Sequence, residues 1–224
     1  MIRILKPIFL ALIIFFVPSG SLVEDPEEHE YYIYSMAIRM RHDTTYSTWF
    51  ITFTCYNWIP LFEITSGYGL VYNWLKLISS KYQIKTLAFV IMPNHVHLLL
   101  QLEKEGINLN TVISNGKRFM AYALIQKLQA LKHDELLMKL SEACSVIEKS
   151  KGQKHKVFEP SFDAKPIYSD KFLNQKLDYI HRNPISGKWN LCSNITDYYH
   201  SSAAFYELSS VHNEVDIVNN SQYR

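Results

Sequence analysis

His95 and His97 stand one residue apart in the run Ile91-Met92-Pro93-Asn94-His95-Val96-His97-Leu98-Leu99. On a strand, alternate side chains share a face, so the two imidazoles project together while Val96, Leu98 and Leu100 turn into the core. A pair aimed at one point in space can hold a divalent ion. Imidazole suits transition metals such as Mn²⁺, with Mg²⁺ a weaker match. Two histidines on the solvent face of a strand would give the same pattern, so the pair needs partners before it means catalysis.

A candidate nucleophile lies further along. Between Leu109 and about Leu131, apolar residues recur with a period near 3.6, as in a long amphipathic helix. Tyr122 falls on its polar stripe, away from Leu109, Ile113 and Met120. Core packing does not explain a tyrosine there; an exposed, stacking ring does, and so does a nucleophile. A phenol titrates near pH 10 and needs a nearby cation or base to attack phosphorus at neutral pH. Gln126, one turn later on the same face, offers an amide oxygen as a third metal ligand. Arg118, one turn earlier, can neutralise a phosphate.

The elements that must carry these groups can be read from spacing. Trp49 to Tyr56, dense in β-branched and aromatic residues, reads as a strand. Tyr68 to Tyr82 follows Ser66-Gly67 with helical apolar spacing. Lys85 to Met92 reads as a strand covered on both faces, broken by Pro93-Asn94 before another strand from His95 to Leu102. After the long helix, 132–157 reads as a partly helical connector ending in a basic loop, with Lys149, Lys151, Lys154 and Lys156. A short helix from about Asp170 to His181 stops at Arg182-Asn183-Pro184, because proline disfavours helical geometry in the residue before it. Residues 46–131 form the expected core, 158–208 complete it, and 209–224 read as a frayed tail. The β-α-β-β-α order predicts an α+β fold with helices on one face of a mainly antiparallel sheet.

Composition sets the frame. The 224 residues are 48% hydrophobic, enough for one sizeable core and too few for two ordinary enzymatic domains. Arg3 and Lys6 against five carboxylates give −3 over residues 1–35, so of the formal +2 the remaining chain carries +5. That mildly basic body is compatible with a polyanionic partner. Cys55, Cys144 and Cys192 form no C-x-x-C pair, which argues against a disulfide framework or a zinc site and for a reducing compartment. The apolar stretch from Ile8 to Val17 conflicts with that, since residues 1–40 are signal-like. We read them as a misassigned extension ahead of a start at Met36 or Met40, and the protein as cytoplasmic; export is the competing reading.

The separated strings Phe89 to Leu99, Gly116-Lys117-Arg118-Phe119-Met120-Ala121-Tyr122 and Tyr179-Ile180-His181-Arg182-Asn183-Pro184 together resemble the single-tyrosine transposases associated with repetitive extragenic palindromes, within the HUH endonuclease superfamily. The resemblance spans about Thr48 to Tyr206. It implies a ferredoxin-like fold, a divalent metal (Mg²⁺ or Mn²⁺) on His95 and His97, and Gln126 as a third ligand. It further implies Tyr122 as the nucleophile and cleavage to a 5′-phosphotyrosine and a free 3′-hydroxyl. Single-stranded DNA with hairpins is the implied partner, bound by a monomer or homodimer without ATP or a membrane. Asn94, Lys117, Arg118, His181, Arg182 and Asn183 are the expected DNA contacts, although His181 and Asn183 can equally serve to end their helix. The main alternative is a ferredoxin-like module that binds single strands through aromatics without cutting them.

Overall fold

A computed structural model describes residues 47–187 and 189–219; the signal-like segment at 1–40 lies outside them. In chain order the elements are β1 (Thr48–Thr54), α1 (Leu61–Ile64), α2 (Tyr68–Tyr82), β2 (Ile84–Ile91), β3 (His95–Leu102) and α3 (Leu109–Ala130). There follow α4 (Asp134–Glu142), α5 (Val146–Ser150), β4 (Asp163–Pro166), α6 (Asp170–Arg182) and α7 (Ala203–Leu208). The four strands form one antiparallel sheet in the order β2-β3-β1-β4. That is the ferredoxin-like arrangement, and the β-α-β-β-α core follows the expected order. β4 escapes sequence reading because Asp163-Ala-Lys-Pro is short and unpatterned. As an edge strand it tolerates Pro166, which has no N–H to donate.

The side-chain period of two divides β3 between two cores. Val96, Leu98 and Leu100 join Ile51 and Phe53 of β1 in the larger core, against Val71, Leu75 and Ile78 of α2 and Val112, Met120 and Leu124 of α3. Leu99 faces the other way, with Phe50, Val90, Leu173 and Ile180, beneath α6. The second face of the sheet is therefore not open: α6 covers part of it. This division fixes what His95 and His97 can meet, since they point with Leu99 and away from α3.

Helix α3 begins where the Asn108 side chain accepts a hydrogen bond from the Thr111 amide at 3.0 Å. It packs closely on α2 because Gly116 lacks a side chain. A Cβ there would lie 2.4 Å from Nε1 and 2.5 Å from Cε2 of the Trp74 indole. Trp74 is itself buried edge-on against Phe53. Gly116→Ala is therefore expected to force the two helices apart and to destabilise the fold by about 1–3 kcal/mol despite alanine's better helix propensity. Denaturant melts of the two proteins check this, and a more stable alanine variant would contradict it.

The chain after α6 runs along the outer edge of β2 rather than fraying. Ile91 N donates to His200 O at 2.8 Å, Ser202 N to Phe89 O at 2.9 Å, and Val218 N to Thr86 O at 3.0 Å. Val215 is buried. These bonds satisfy an edge that would otherwise present unpaired backbone groups, and they place residues up to 219 in the fold, contrary to the expected tail from 209.

Candidate metal and nucleophile site

His95 and His97 sit on the central strand β3, both almost wholly buried, with ring centroids 4.7 Å apart. Asn94, just before β3, orients the first. Its side-chain amide nitrogen donates to Trp58 O at 2.8 Å, which turns its Oδ1 toward His95 Nδ1 at 2.7 Å. An amide oxygen only accepts, so His95 carries its proton on Nδ1 and its lone pair on Nε2. Asn94 is thus an internal positioning residue, not the expected DNA contact.

His97 Nδ1 lies 2.7 Å from Thr52 Oγ1 on the paired strand β1. Its ring stacks on Phe50 at 5.6 Å. Its Nε2 is buried and has no hydrogen-bond partner. Burial, reinforced by the neighbouring His95 and Lys176, holds this imidazole well below its usual range. It is neutral at pH 7, the form that binds metals. An orphaned buried nitrogen costs free energy unless something fills it.

The other orphaned buried side-chain atom among the described residues is Asn183 Oδ1. Asn183 follows α6 with helical dihedrals, φ −53° and ψ −44°, so it lies one turn beyond Tyr179 on the same helix face. The Tyr179 ring stands edge-on to His97 at 5.0 Å and to Phe50 at 6.0 Å, and is half exposed. Lys176, one turn earlier, places its ammonium 4.9 Å over Phe50 and 5.5 Å over Tyr179. Among the described residues no three His, Cys, Asp or Glu side chains gather to hold a metal. Any ion on the two histidines must take further ligands from amide or substrate oxygens, and an acceptor on Asn183 left unsatisfied by the protein suits that need.

The expected partners on α3 do not join this group. Tyr122 is 62% exposed, and Gln126 beside it is also exposed. Both ride on the helix that packs against Val96 and Leu98, across the sheet from the histidines. The geometry gives neither residue a path to the histidine pair within one chain. The reason is the strand's alternation: a helix packed on the even-numbered side of β3 cannot serve side chains on the odd-numbered side.

The proposed DNA contacts also sort by burial. Lys117 is buried, and its ammonium donates to Glu159 O at 2.7 Å and Ser161 O at 2.9 Å, holding the loop before β4. Burial lowers its pKa to about 8. His181 is buried with Nε2 2.9 Å from Ser202 Oγ, tying α6 to the C-terminal segment, and burial pushes its pKa down to about 4. These two residues are structural. Arg118 and Arg182 are exposed, the latter paired with Asp178 at 2.7 Å. Lys117→Ala is expected to remove a shared donor from the 159–161 loop and cost about 1–3 kcal/mol, without changing how nucleic-acid affinity falls with salt. A well-folded variant whose salt slope drops by roughly 0.7, one single-strand phosphate contact, would restore Lys117 as a contact.

Tyr179, read from sequence only as part of the string 179–184, is the tyrosine that stands beside the histidine pair. Tyr179-x-x-x-Asn183 repeats the spacing of Tyr122-x-x-x-Gln126, and only the sheet face distinguishes them.

No family model matches the chain, and no curated protein matches it. Among solved structures, a candidate transposase from Deinococcus radiodurans shares 16% identity over 65% of this chain and 96% of its own, at a TM-score of 0.36, too loose an overlap to bear on the fold. A REP-associated tyrosine transposase, solved bound to a REP hairpin, covers 84% of this chain and 97% of its own at 16% identity and a TM-score of 0.54. In fold, the chain is similar to that REP-associated tyrosine transposase.

Proposed function

We propose that the protein is a transposase-type endonuclease that cuts and rejoins single-stranded, hairpin-containing DNA through a tyrosine nucleophile, and that this tyrosine is Tyr179. The observation that carries the reading is the Tyr179 ring, edge-on to His97 on the sheet face that holds both histidines, with the unpartnered Asn183 one turn further along the same helix face. The likeness of fold to a hairpin-bound tyrosine transposase supports it.

His95 Nε2, His97 Nε2 and Asn183 Oδ1 are the atoms that would hold a divalent ion. When bound, such an ion supplies positive charge to the non-bridging oxygens of the scissile phosphate. Thr52 and Asn94 fix the two rings through their Nδ1 atoms, as outer partners of metal-ligating histidines commonly do. Tyr179 gives its phenolic proton to solvent or a substrate oxygen and attacks phosphorus. The Oη–P bond forms as the P–O3′ bond breaks, leaving a 5′-phosphotyrosine and, after protonation, a 3′-hydroxyl. One phosphodiester replaces another, so the exchange is reversible and needs no ATP. Lys176 adds a cation beside the ring that develops negative charge.

Incubation with labelled single-stranded hairpin DNA and Mn²⁺ is expected to give a denaturant-resistant adduct that EDTA prevents. Binding with no adduct on any hairpin would favour the non-cutting module.

A further inference from the structure

Trp58 lies beside the histidine pair, and nothing in the chemistry above uses it. Its indole is 55% exposed, edge-on to His95 with centroids 5.5 Å apart. Its backbone sits in the left-handed region at φ 56°, directly after Asn57 at φ 50°. Asparagine tolerates that region; a bulky aromatic residue does not adopt it without compensation. The turn is held there by several bonds. Trp58 N donates to Cys55 O at 3.1 Å, Asn57 N to Glu159 Oε1 at 2.8 Å, and Asn94 Nδ2 to Trp58 O at 2.8 Å. The last of these comes from the same amide that orients His95.

A strained backbone that presents a large apolar ring to solvent gains nothing for the fold. Strain of this kind collects at ligand clamps. We infer that Trp58 is a stacking platform for one unpaired nucleobase, that of a nucleotide adjoining the scissile phosphate, and so sets which phosphate reaches His95 and His97. The inference rests on the proposed cleavage site for the identity of the ligand. The indole face is sequence-tolerant, so the platform selects an unpaired, flipped-out base rather than a particular one. Through Asn94, its position is tied to the orientation of His95, so base and phosphate are registered by one side chain.

The test uses the full chain carrying Tyr179→Phe, so that binding is read without chemistry. A hairpin oligonucleotide is titrated intact and with a single abasic residue moved along its single-stranded arm. Trp58→Ala is expected to weaken binding of the intact strand roughly 5- to 150-fold, the range for one lost base stack, while Trp58→Phe retains most of the affinity. One abasic position should cost the Trp58 protein a similar factor and cost Trp58→Ala nothing more. Trp58→Gly, which suits the left-handed backbone, should bind as weakly as the alanine variant while melting no lower, which separates lost stacking from lost folding. Unchanged affinity in Trp58→Ala or Trp58→Gly, or equal abasic penalties with and without the indole at every position, would overturn the platform. The coupling persisting when the Tyr179 protein forms no adduct would sink the cleavage reading alone; an adduct without the coupling would sink the platform alone.

Discussion

Tyr179→Phe is expected to abolish the covalent adduct and lower strand cleavage by on the order of 10⁴-fold or more, as loss of the nucleophile does in other covalent enzymes. The ring, and with it the contacts to His97 and Phe50, is kept. Only the oxygen that would bond to phosphorus is lost, so hairpin affinity should hardly move. Tyr122→Phe supplies the contrast. That ring lies in solvent on the opposite helix layer, and its loss should leave both cleavage and binding as they were. A gel assay with 5′- and 3′-labelled hairpins measures both variants. If cleavage dies with Tyr122 and survives without the Tyr179 hydroxyl, the nucleophile has been misplaced.

His97→Ala is expected to remove cleavage and to make calorimetric titration with Mn²⁺ silent. The substitution also empties a buried site beneath Phe50 and strands the Thr52 hydroxyl, so a loss of about 1–3 kcal/mol in stability should accompany it. A gentler change separates these effects. Thr52→Val leaves both histidines in place but removes the bond that aims His97; metal affinity should fall about 10- to 100-fold, and excess Mn²⁺ should recover cleavage. Normal metal binding by His97→Ala would remove the imidazole pair from the mechanism.

Much of the fold was legible because each core element repeats its own period. The strand from His95 to Leu102 and the helix from Tyr68 to Tyr82 are found at the residues read from spacing. The histidine pair was legible for the same reason, since alternation alone puts both rings on one face. What spacing could not carry was the choice between two tyrosine-amide pairs one turn apart. That choice depends on which side of β3 each helix packs, a long-range fact decided by the crossover through β4 that returns α6 to the second face. The burial of two residues expected to contact DNA was hidden from spacing on related grounds. Lys117 and His181 have polar side chains in polar strings, but their partners are 42 to 44 and 21 residues away, beyond any local window. The segment from 209 to 219 lacks a period of its own and is ordered by the edge of β2.

In the proposed reaction the α6 tyrosine, and not the one on α3, meets the phosphate held at the histidine pair. The most direct test is mass spectrometry of peptides from the unmodified sequence after incubation with a hairpin substrate and Mn²⁺, digested with trypsin and nuclease. The expected product is the peptide Leu177 to Arg182 with a single nucleotide on Tyr179. A nucleotide on Tyr122, with Tyr179 unmodified, would contradict the account.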